Sequence, residues 1–187
     1  MTEIQCKFCR IIEKKEKAVI LFEDKKIIAI LDNAPFNRGH TLILPKKHYK
    51  FITDIPDREV GYIFENVNRI AKAIVFSVKA DGLNIGQNNG EIASQTIFHV
   101  HVHIIPRFKK DTRNNKFPTR KPFTIKELKE TGKYIQEVLN AKDKIEPNKI
   151  EKLALKSMFS PFQAAGYCSI YARKIIRKLA NKEVVFV

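Results

Sequence analysis

The sequence predicts an α+β fold with an antiparallel sheet. Several short, apolar segments rich in β-branched residues are separated by turn residues, which is typical of strands. One long amphipathic helical pattern lies between the third and the fourth of these segments. The last segment carries three of the five histidines of the chain at alternate positions, namely His99, His101 and His103. Strands combined with a single long helix indicate the α+β class.

The N-terminal part of the chain predicts a short helix and a β-hairpin. Residues 6–17 contain a short amphipathic helical turn. Two apolar, β-prone runs follow at residues 18–22 and 27–31, and a charged turn at residues 23–26 joins them. Two such runs around a short polar turn are typical of a hairpin.

The middle of the chain predicts a third strand and the long helix. Residues 32–39 consist mostly of turn residues, and residues 40–44 contain an apolar, β-prone run. We expect Asp54 to cap a helix whose apolar positions recur with a helical period over residues 60–78. We expect Gly82 to end this helix.

The fourth and fifth strands are expected at residues 83–87 and 95–105, with a loop at residues 88–91 between them. Because alternate side chains of a strand lie on the same face, the three histidines would share one face of the fifth strand. The valines and the isoleucine between them would face the core. A helix with the same sequence would spread the imidazoles around its axis.

Beyond residue 108 the sequence is basic and mainly helical. A capping box at Thr124 and Glu127 opens the first helical pattern. The helical patterns cover approximately residues 124–145, 148–159 and 161–181. We therefore divide the chain into a domain at residues 1–108 and a basic, mainly helical extension at residues 109–187.

The composition limits the class of protein. Hydrophobic residues make up 44% of the 187 residues, which is enough for a buried core. The chain has no run of about 18 apolar residues, so we expect no membrane span. The N-terminus lacks a basic start followed by an apolar stretch, so we expect no signal peptide and a cytoplasmic location.

The formal net charge of +15 is unevenly distributed. Residues 1–108 hold 16 Lys and Arg against 12 Asp and Glu, whereas residues 109–187 hold 19 against 8. Basic surface attracts anionic partners such as nucleotides or nucleic acid at long range. The alternative is a lysine-rich surface that is merely solvated.

The residues alone leave three uses of the clustered histidines open. They could be an exposed row on a strand, or a metal site built from strand imidazoles as in zinc hydrolases. They could also serve nucleophilic catalysis, in which the outer two orient the middle one.

The order His, apolar, His, apolar, His, apolar, apolar over residues 99–105 resembles the signature of the histidine triad (HIT) family. Further elements of the family pattern stand upstream in the same order, namely Asp32, Gly39-His40, Pro45-Lys46-Lys47-His48 and Asn88. The resemblance covers roughly residues 4–108. It implies a five-stranded antiparallel sheet with one long helix and a short N-terminal helix. It also implies a homodimer in which two sheets join.

The resemblance implies a nucleotide hydrolase or nucleotidyl transferase that attacks the α-phosphate of an adenosine nucleotide. The attack would form a covalent nucleotidyl-histidine, and His101 is the nucleophile by position. A backbone carbonyl and His40 would orient it, while His103 would donate to a non-bridging phosphate oxygen. Gln95 and Thr96 would supply donors near the leaving group.

The same resemblance suggests the contacts of the nucleotide. Asp32 lies just past a strand end, where a carboxylate can accept hydrogen bonds from ribose hydroxyls. Asn88 would contact the sugar-phosphate side, and the Ser94 hydroxyl could add a phosphate contact. The candidates for the base pocket, which could equally belong to the ordinary core, are Phe8, Ile11, Ile30 and Leu31.

The CxxC motif at the N-terminus indicates metal or redox chemistry rather than a disulfide framework. Some branches of the HIT family carry a structural zinc, and its ligand positions correspond here to Cys6, Cys9, His48 and His99. Four protein ligands are typical of a structural rather than a catalytic zinc. This use of His99 counts against a metal centre made of the three triad histidines.

The residues around the triad are similar to those of the branch that hydrolyses diadenosine polyphosphates. These are Gln95-Thr96-Ile97-Phe98 before the triad and Pro106-Arg107 after it. An AMP phosphoramidase is one alternative. A hydrolase of 5′-adenylated nucleic acid that uses the basic extension is another, and a nucleotide sensor with negligible turnover is a third.

Overall fold

The structure is a computed structural model that describes residues 6–111, 119–120 and 122–142. In chain order its helices and strands are α1 (Lys7–Ile12), β1 (Ile20–Glu23), β2 (Ile27–Leu31), β3 (Thr41–Pro45), α2 (Asp57–Val78), β4 (Gly82–Gln87), β5 (Val102–Arg107) and α3 (Ile125–Lys142). The helical patterns predicted at residues 148–159 and 161–181 lie outside the described residues. Among the described helices, none has the length and apolar character needed to cross a membrane.

The five strands form an antiparallel sheet in the order β1-β2-β3-β5-β4. β1 and β2 form the predicted hairpin, and β2 pairs with β3 from Ile27 opposite Pro45 to Leu31 opposite Thr41. β5 lies between β3 and β4, so the strand that carries the last triad histidine is an interior strand. The predicted α+β fold, with its long helix and short N-terminal helix, is confirmed.

Both faces of the sheet are covered by helices. On one face, α2 and α3 bury side chains such as Ile70 and Ile135 in a core shared with Ile104 of β5. On the other face, α1 buries Phe8 against β2 and β3, where it shares a smaller core with Ile28. β2 and β3 are buried at every position, which explains why their sequences read as continuous apolar runs.

The fifth strand is shorter than predicted. It begins at Val102 rather than at residue 95, because the backbone before it bonds to the segment that follows β3. There the N–H of Val100 donates to the Tyr49 carbonyl at 2.7 Å. The ends of the other strands differ from the prediction by at most two residues.

The ends of α2 also differ from the prediction. Pro56 is the N-cap residue, and Asp54 lies in the preceding turn, where its carboxylate accepts the Phe51 N–H at 3.0 Å. At the other end, Lys79 adopts the left-handed conformation (φ 55°) and caps the helix. Gly82, which was expected to end the helix, instead opens β4.

Helix α3 belongs to the same compact unit as the sheet, which comprises Met1–Leu139. Its predicted capping box is confirmed, because the Glu127 carboxylate accepts the Thr124 N–H at 2.8 Å and the Glu127 N–H donates to the Thr124 hydroxyl at 3.2 Å. Its side chains Leu128, Ile135 and Leu139 are buried in the same core as those of α2, whereas Ile125 is exposed. The compact unit that contains the sheet therefore continues past residue 108. The predicted boundary between a domain at residues 1–108 and an extension at residues 109–187 stays a prediction.

Gly39 sits where the loop after β2 passes close to α2. Its φ of +85° is a left-handed conformation that side chains with a Cβ rarely adopt. A Cβ at this position would lie 2.9 Å from Cγ1 of Val78 and 3.4 Å from Cγ2 of Ile74. The glycine therefore lets the loop enter β3 directly beside the long helix.

We expect Gly39→Ala to lower the free energy of unfolding by roughly 1–3 kcal/mol, because the new Cβ meets both the strained φ and the side chain of Val78. Urea unfolding followed by circular dichroism measures this loss. The matched control is Gly61→Ala on the exposed side of α2, where an added Cβ contacts nothing within 4 Å. That substitution should stabilise the protein by about 0.5–1 kcal/mol. Equal effects of the two changes would contradict the assignment.

Candidate active site

The triad histidines lie on the α1 face of the sheet, as the alternation predicted. The rings of His99 and His101 both contact the ring of Phe8, with centroids 6.0 Å and 5.0 Å apart. Val100 and Val102 are fully buried in the core on the opposite face. The alternation therefore holds even though the first two histidines precede the strand.

His101 is buried, with 6% of its surface exposed, and its Nδ1 lies 2.7 Å from the carbonyl oxygen of His99. A carbonyl can only accept a hydrogen bond, so the proton of the neutral ring is on Nδ1. The lone pair is then on Nε2. Since His101 lines the large cleft described below, this ring supplies an unprotonated nitrogen to the site.

A second hydrogen-bonded chain determines the tautomer of His103. The backbone N–H of Phe36 donates to Nδ1 of His40 at 3.2 Å, which is shorter than the 3.4 Å from this nitrogen to Oδ2 of Asp32, so we assign the lone pair to Nδ1 and the proton to Nε2. Nε2 of His40 lies 3.0 Å from Nδ1 of His103 and donates to it. His103 therefore keeps its own proton on Nε2, where it is available as a donor.

This chain corrects one detail of the sequence analysis. His40 was expected to orient His101, but its hydrogen bond goes to His103, and the carbonyl of His99 alone holds Nδ1 of His101. The rings of His101 and His103 are 4.9 Å apart, edge to face. The two histidines thus offer complementary groups, a lone pair on one and an N–H on the other.

Burial keeps these rings neutral. Desolvation lowers the pKa of His40 to about 4 and that of His103 to about 3. Burial also lowers the pKa of His101, although the hydrogen bond to the His99 carbonyl acts in the opposite direction. For Asp32, burial alone would raise the pKa, but the N–H of Ala34, the neighbouring His40 and the Arg120 guanidinium lower it. Asp32 is therefore an anion.

Asp32, His40 and His103 bring three potential ligand atoms within 4.8 Å of one another, but proton accounting argues against a metal there. The lone pair of His40 is used by the Phe36 N–H, and its other nitrogen carries a proton. His40 therefore has no lone pair to give to a metal. We interpret this cluster as a hydrogen-bonded chain.

A cleft of about 1080 Å³ opens beside the triad. Most of the residues predicted for nucleotide binding line it, namely Phe8, Ile11, Ile30, Leu31, Asp32, Asn88, Ser94, Thr96, His101 and His103. Its wall is apolar near α1 and polar near the triad. A heteroaromatic base at one end and a phosphate at the other would match this division.

Gln95, which was predicted to supply a donor near the leaving group, makes hydrogen bonds within the protein. Its side chain is 2% exposed and does not line the cleft. The amide oxygen accepts the Gly90 N–H at 2.7 Å, and the amide nitrogen donates to the Lys50 carbonyl at 2.8 Å. Gln95 therefore joins two loops, and a donor role towards a leaving group would require breaking these bonds.

The loop before the triad has one residue in an unusual conformation. Ser94 has φ +66°, is exposed and lines the cleft. Its carbonyl accepts a hydrogen bond from the Asn88 side chain at 3.3 Å. This left-handed position explains why a glycine would also be favourable here, and the bond from Asn88 helps a serine to occupy it.

Two residues at the end of the cleft near Asp32 were missed by the sequence analysis. Arg120 donates to the Asp32 carboxylate at 2.9 Å, and its guanidinium lies 4.3 Å from the ring centre of Phe36. Phe36 also stacks on His40, with centroids 5.5 Å apart. For Phe36, the available signal was an aromatic residue in an otherwise polar loop. Arg120 lies in an irregular basic segment, where no pattern distinguishes it from the other basic residues.

The predicted metal ligands come together. Cys6, Cys9, His48 and His99 place their ligand atoms within 4.8 Å of one another, and both cysteines are buried. Nδ1 of His99 lies 3.6 Å from Sγ of Cys6 and 3.5 Å from Sγ of Cys9. Ligands of a tetrahedral zinc with bonds of 2.0–2.3 Å stand about 3.5 Å apart, so the spacing fits such an ion.

His99 is prepared for this role by a further contact. Its Nε2 lies 2.9 Å from the carbonyl oxygen of Pro45, which places the proton on Nε2 and the lone pair on Nδ1. A histidine that binds a metal usually donates its other N–H to such a carbonyl. The donor set of two sulfurs and two imidazoles, closed by four protein groups, is typical of a structural zinc site.

An antiparallel sheet that presents paired imidazoles at the edge of a cleft is the architecture of histidine triad proteins. The family model described as HIT domain matches residues 13–110. An uncharacterized HIT-like protein of Methanocaldococcus jannaschii is 40% identical over 123 residues, which are 66% of this chain and 95% of that protein. The chain therefore belongs to the HIT family, whose members are generally nucleotide hydrolases or transferases.

A named relative and two solved structures extend this comparison. The adenylylsulfatase HINT3 of Arabidopsis thaliana is 42% identical over 106 residues, and this chain spans 54% of its length. A zinc-bound histidine triad family protein of Mycobacterium smegmatis has a TM-score of 0.66 and 36% identity, covering 78% of this chain and 100% of its own. A hypothetical histidine triad nucleotide-binding protein of Sulfolobus tokodaii has a TM-score of 0.68 and 37% identity, covering 75% and 96%.

We expect the free energy of unfolding to fall as the pH falls from 6.5 towards 4. The unfolded chain binds protons on its histidines near their ordinary pKa of 6.5, whereas the folded chain keeps His40 and His103 neutral down to about 4 and 3. Acid therefore favours the unfolded state in this window. Urea titrations at successive pH values measure the slope. His40→Gln should lower the number of protons taken up on unfolding by about one, which makes the unfolding free energy less dependent on pH. An unchanged pH dependence would contradict a neutral, buried His40.

Proposed function

We propose that this protein is a nucleotidyl hydrolase that cleaves adenosine nucleotides at the α-phosphate through a covalent adenylyl-His101 intermediate. The observation that carries the proposal is the hydrogen bond from Nδ1 of His101 to the His99 carbonyl, which leaves the lone pair on Nε2. A neutral imidazole of fixed tautomer is a competent nucleophile near neutral pH.

The reaction would run in two displacements at the same phosphorus. In the first, Nε2 of His101 forms a bond to the α-phosphorus, and the bond from phosphorus to the leaving group breaks with its electron pair. In the second, water attacks the phosphorus, the N–P bond breaks, and AMP leaves while the proton of the water passes to solvent. The Nε2–H of His103 would donate to a non-bridging oxygen in both transition states.

The remaining contacts of the nucleotide follow from the cleft. The carboxylate of Asp32 would accept hydrogen bonds from the ribose, because it is ionised and lines the cleft. Asn88, Ser94 and Thr96 would surround the phosphates. The apolar wall formed by Phe8, Ile11, Ile30 and Leu31 would take the adenine.

Several leaving groups are compatible with this reaction. The residues that flank the triad favour a diadenosine polyphosphate, as the sequence resemblance implies. The name of the Arabidopsis relative, adenylylsulfatase, favours a small anion joined to the adenylyl group. An AMP phosphoramidate and a 5′-adenylated nucleic acid stay as alternatives, the latter because of the basic extension at residues 109–187.

We also propose a structural zinc held by Cys6, Cys9, His48 and His99. The spacing of the ligand atoms and the hydrogen bond from His99 to Pro45 support it, as does the zinc-bound relative of Mycobacterium smegmatis. The ion would hold the ring of His99, whose carbonyl orients His101. It would take no part in the chemistry.

The homodimer and the nucleic-acid partner stay predictions. The exposed edge strand β4, on which Ile85 is 49% exposed, is compatible with a second sheet joining there. Sedimentation equilibrium tests the dimer. Salt-dependent binding of DNA or RNA that is lost on removal of the chain after residue 147 would support the nucleic-acid partner.

We expect wild-type protein that is mixed with diadenosine polyphosphate and quenched rapidly to show one adenylyl group on His101 by mass spectrometry. His101→Ala should lose this adduct and reduce turnover by at least about 10³-fold, because the nucleophile is absent. The control His103→Asn keeps the nucleophile, so it should form the same adduct more slowly. An adduct on another residue, or no adduct and no turnover on any adenylated substrate, would overturn the proposal.

For zinc, we expect about one ion per chain by elemental analysis after purification without chelator, since one Cys2His2 set is present among the described residues. Cys9→Ser should lower the zinc content and the melting temperature together. Cys168→Ser is the control, because it removes the third cysteine of the sequence from outside the motif. Metal-free protein with an unchanged melting temperature in strong chelator would refute the site.

A further inference from the structure

The end of the cleft at Asp32 contains a cation that no part of the proposed chemistry uses. Arg120 lines the cleft, and its side chain is 43% exposed, whereas that of Asp32 is 8% exposed. The guanidinium is held at three points of the loop after β2. Nη1 donates to Oδ2 of Asp32 at 2.9 Å and to the carbonyl of Ala34, and Cζ lies over the Phe36 ring, 4.3 Å from its centre.

Only one nitrogen of this guanidinium is used by the described residues. The Nε–H and the two N–H groups of Nη2 have no acceptor among them, and Arg120 faces the cleft. An arginine has five N–H donors in a rigid plane, and the stacking on Phe36 holds that plane in place. Oriented donors that no described residue accepts from are suited to bind a ligand in the cleft.

Asp32 also keeps capacity beside the arginine. Oδ1 accepts the Ala34 N–H at 2.9 Å and Oδ2 accepts Arg120. An ionised carboxylate has about four acceptor positions, so about two are left. Arg120 therefore does not have to leave for Asp32 to accept hydrogen bonds from a ligand.

We propose that Arg120 is a specificity-determining residue that reads the ribose hydroxyls together with Asp32. A hydroxyl donates one hydrogen bond and accepts others, whereas a carboxylate only accepts and a guanidinium only donates. The ion pair thus places an acceptor and a donor side by side, and a ribose hydroxyl can bond to both. This inference rests on the proposed nucleotide site, because it assigns the ribose to Asp32.

The charges of Asp32 and Arg120 disfavour a nucleotide that carries a phosphate on its ribose. A phosphate at the 2′ or 3′ position would be placed beside the carboxylate of Asp32, whose charge repels it. The arginine is already paired with that carboxylate, so the pair is close to neutral as a whole. A neutral hydroxyl matches such a pair better than a second anion.

Binding of AMP to the intact protein tests the proposal without any turnover. We expect the wild type to bind AMP about tenfold more tightly than 2′-deoxy-AMP or 3′-deoxy-AMP in calorimetry, since a hydrogen bond to a charged group is at stake. In Arg120→Gln, the preference should fall by about three- to tenfold for at least one hydroxyl, with the affinity for the matching deoxy nucleotide nearly unchanged. Arg58→Gln, an exposed arginine at the start of α2, is the matched control and should change nothing.

Each other outcome overturns the inference. If Arg120→Gln binds AMP more tightly than the wild type, the arginine competes with the ribose. If it weakens AMP and both deoxy nucleotides by the same factor, its role is general electrostatics or structure. If the wild type prefers adenosine 3′,5′-bisphosphate and the variant loses that preference, the arginine reads a phosphate.

The failure of this inference is distinguishable from failure of the proposed function. A wild type that binds AMP with an Arg120-dependent hydroxyl preference but forms no adduct on His101 keeps the inference and loses the reaction. An adduct on His101 with no such preference keeps the reaction and loses the inference. Absence of AMP binding by the wild type overturns both.

Discussion

The hydrogen bond from Nδ1 of His101 to the carbonyl of His99 is the contact on which the rest of the site depends, because it determines which nitrogen faces the cleft. His99 in turn is held by its own ring, which donates to Pro45 and faces the two N-terminal thiols. One residue therefore joins the N-terminal segment, the end of β3 and the nucleophile. A buried cluster that takes no part in the chemistry can in this way influence the tautomer of the neighbouring nucleophile.

The site is built where regular structure stops. Residues 95–101 are outside the sheet, and their backbone and side chains bond instead to the segment after β3, through Val100 to Tyr49 and through Gln95 to Lys50. A residue in a ladder would have its carbonyl used by a neighbouring strand. Because His99 is outside the ladder, its carbonyl is available to accept the imidazole.

The sequence was sufficient for the sheet, the long helix and the face on which the histidines lie, because alternation and helical periodicity are local patterns. It also located the four clustered thiols and imidazoles, through their resemblance to a known pattern. It could not locate Arg120, which is 88 residues from its partner Asp32 and carries no periodicity. It did not predict the hydrogen bonds that Gln95 makes to two loops, because an amide serves equally well as a ligand donor and as a bridge between loops.

The backbone N–H of Phe36 has a further consequence. Every other group in the chain through His40 to His103 can exchange the roles of donor and acceptor, whereas an amide N–H can only donate. One peptide N–H therefore determines which atom donates in every hydrogen bond from Phe36 through His40 to His103. A proline at position 36 would remove that amide proton, and His103 could then present a lone pair to a phosphate oxygen. Phe36 therefore acts on this site twice, through its amide proton on His40 and through its ring, which contacts both His40 and Arg120.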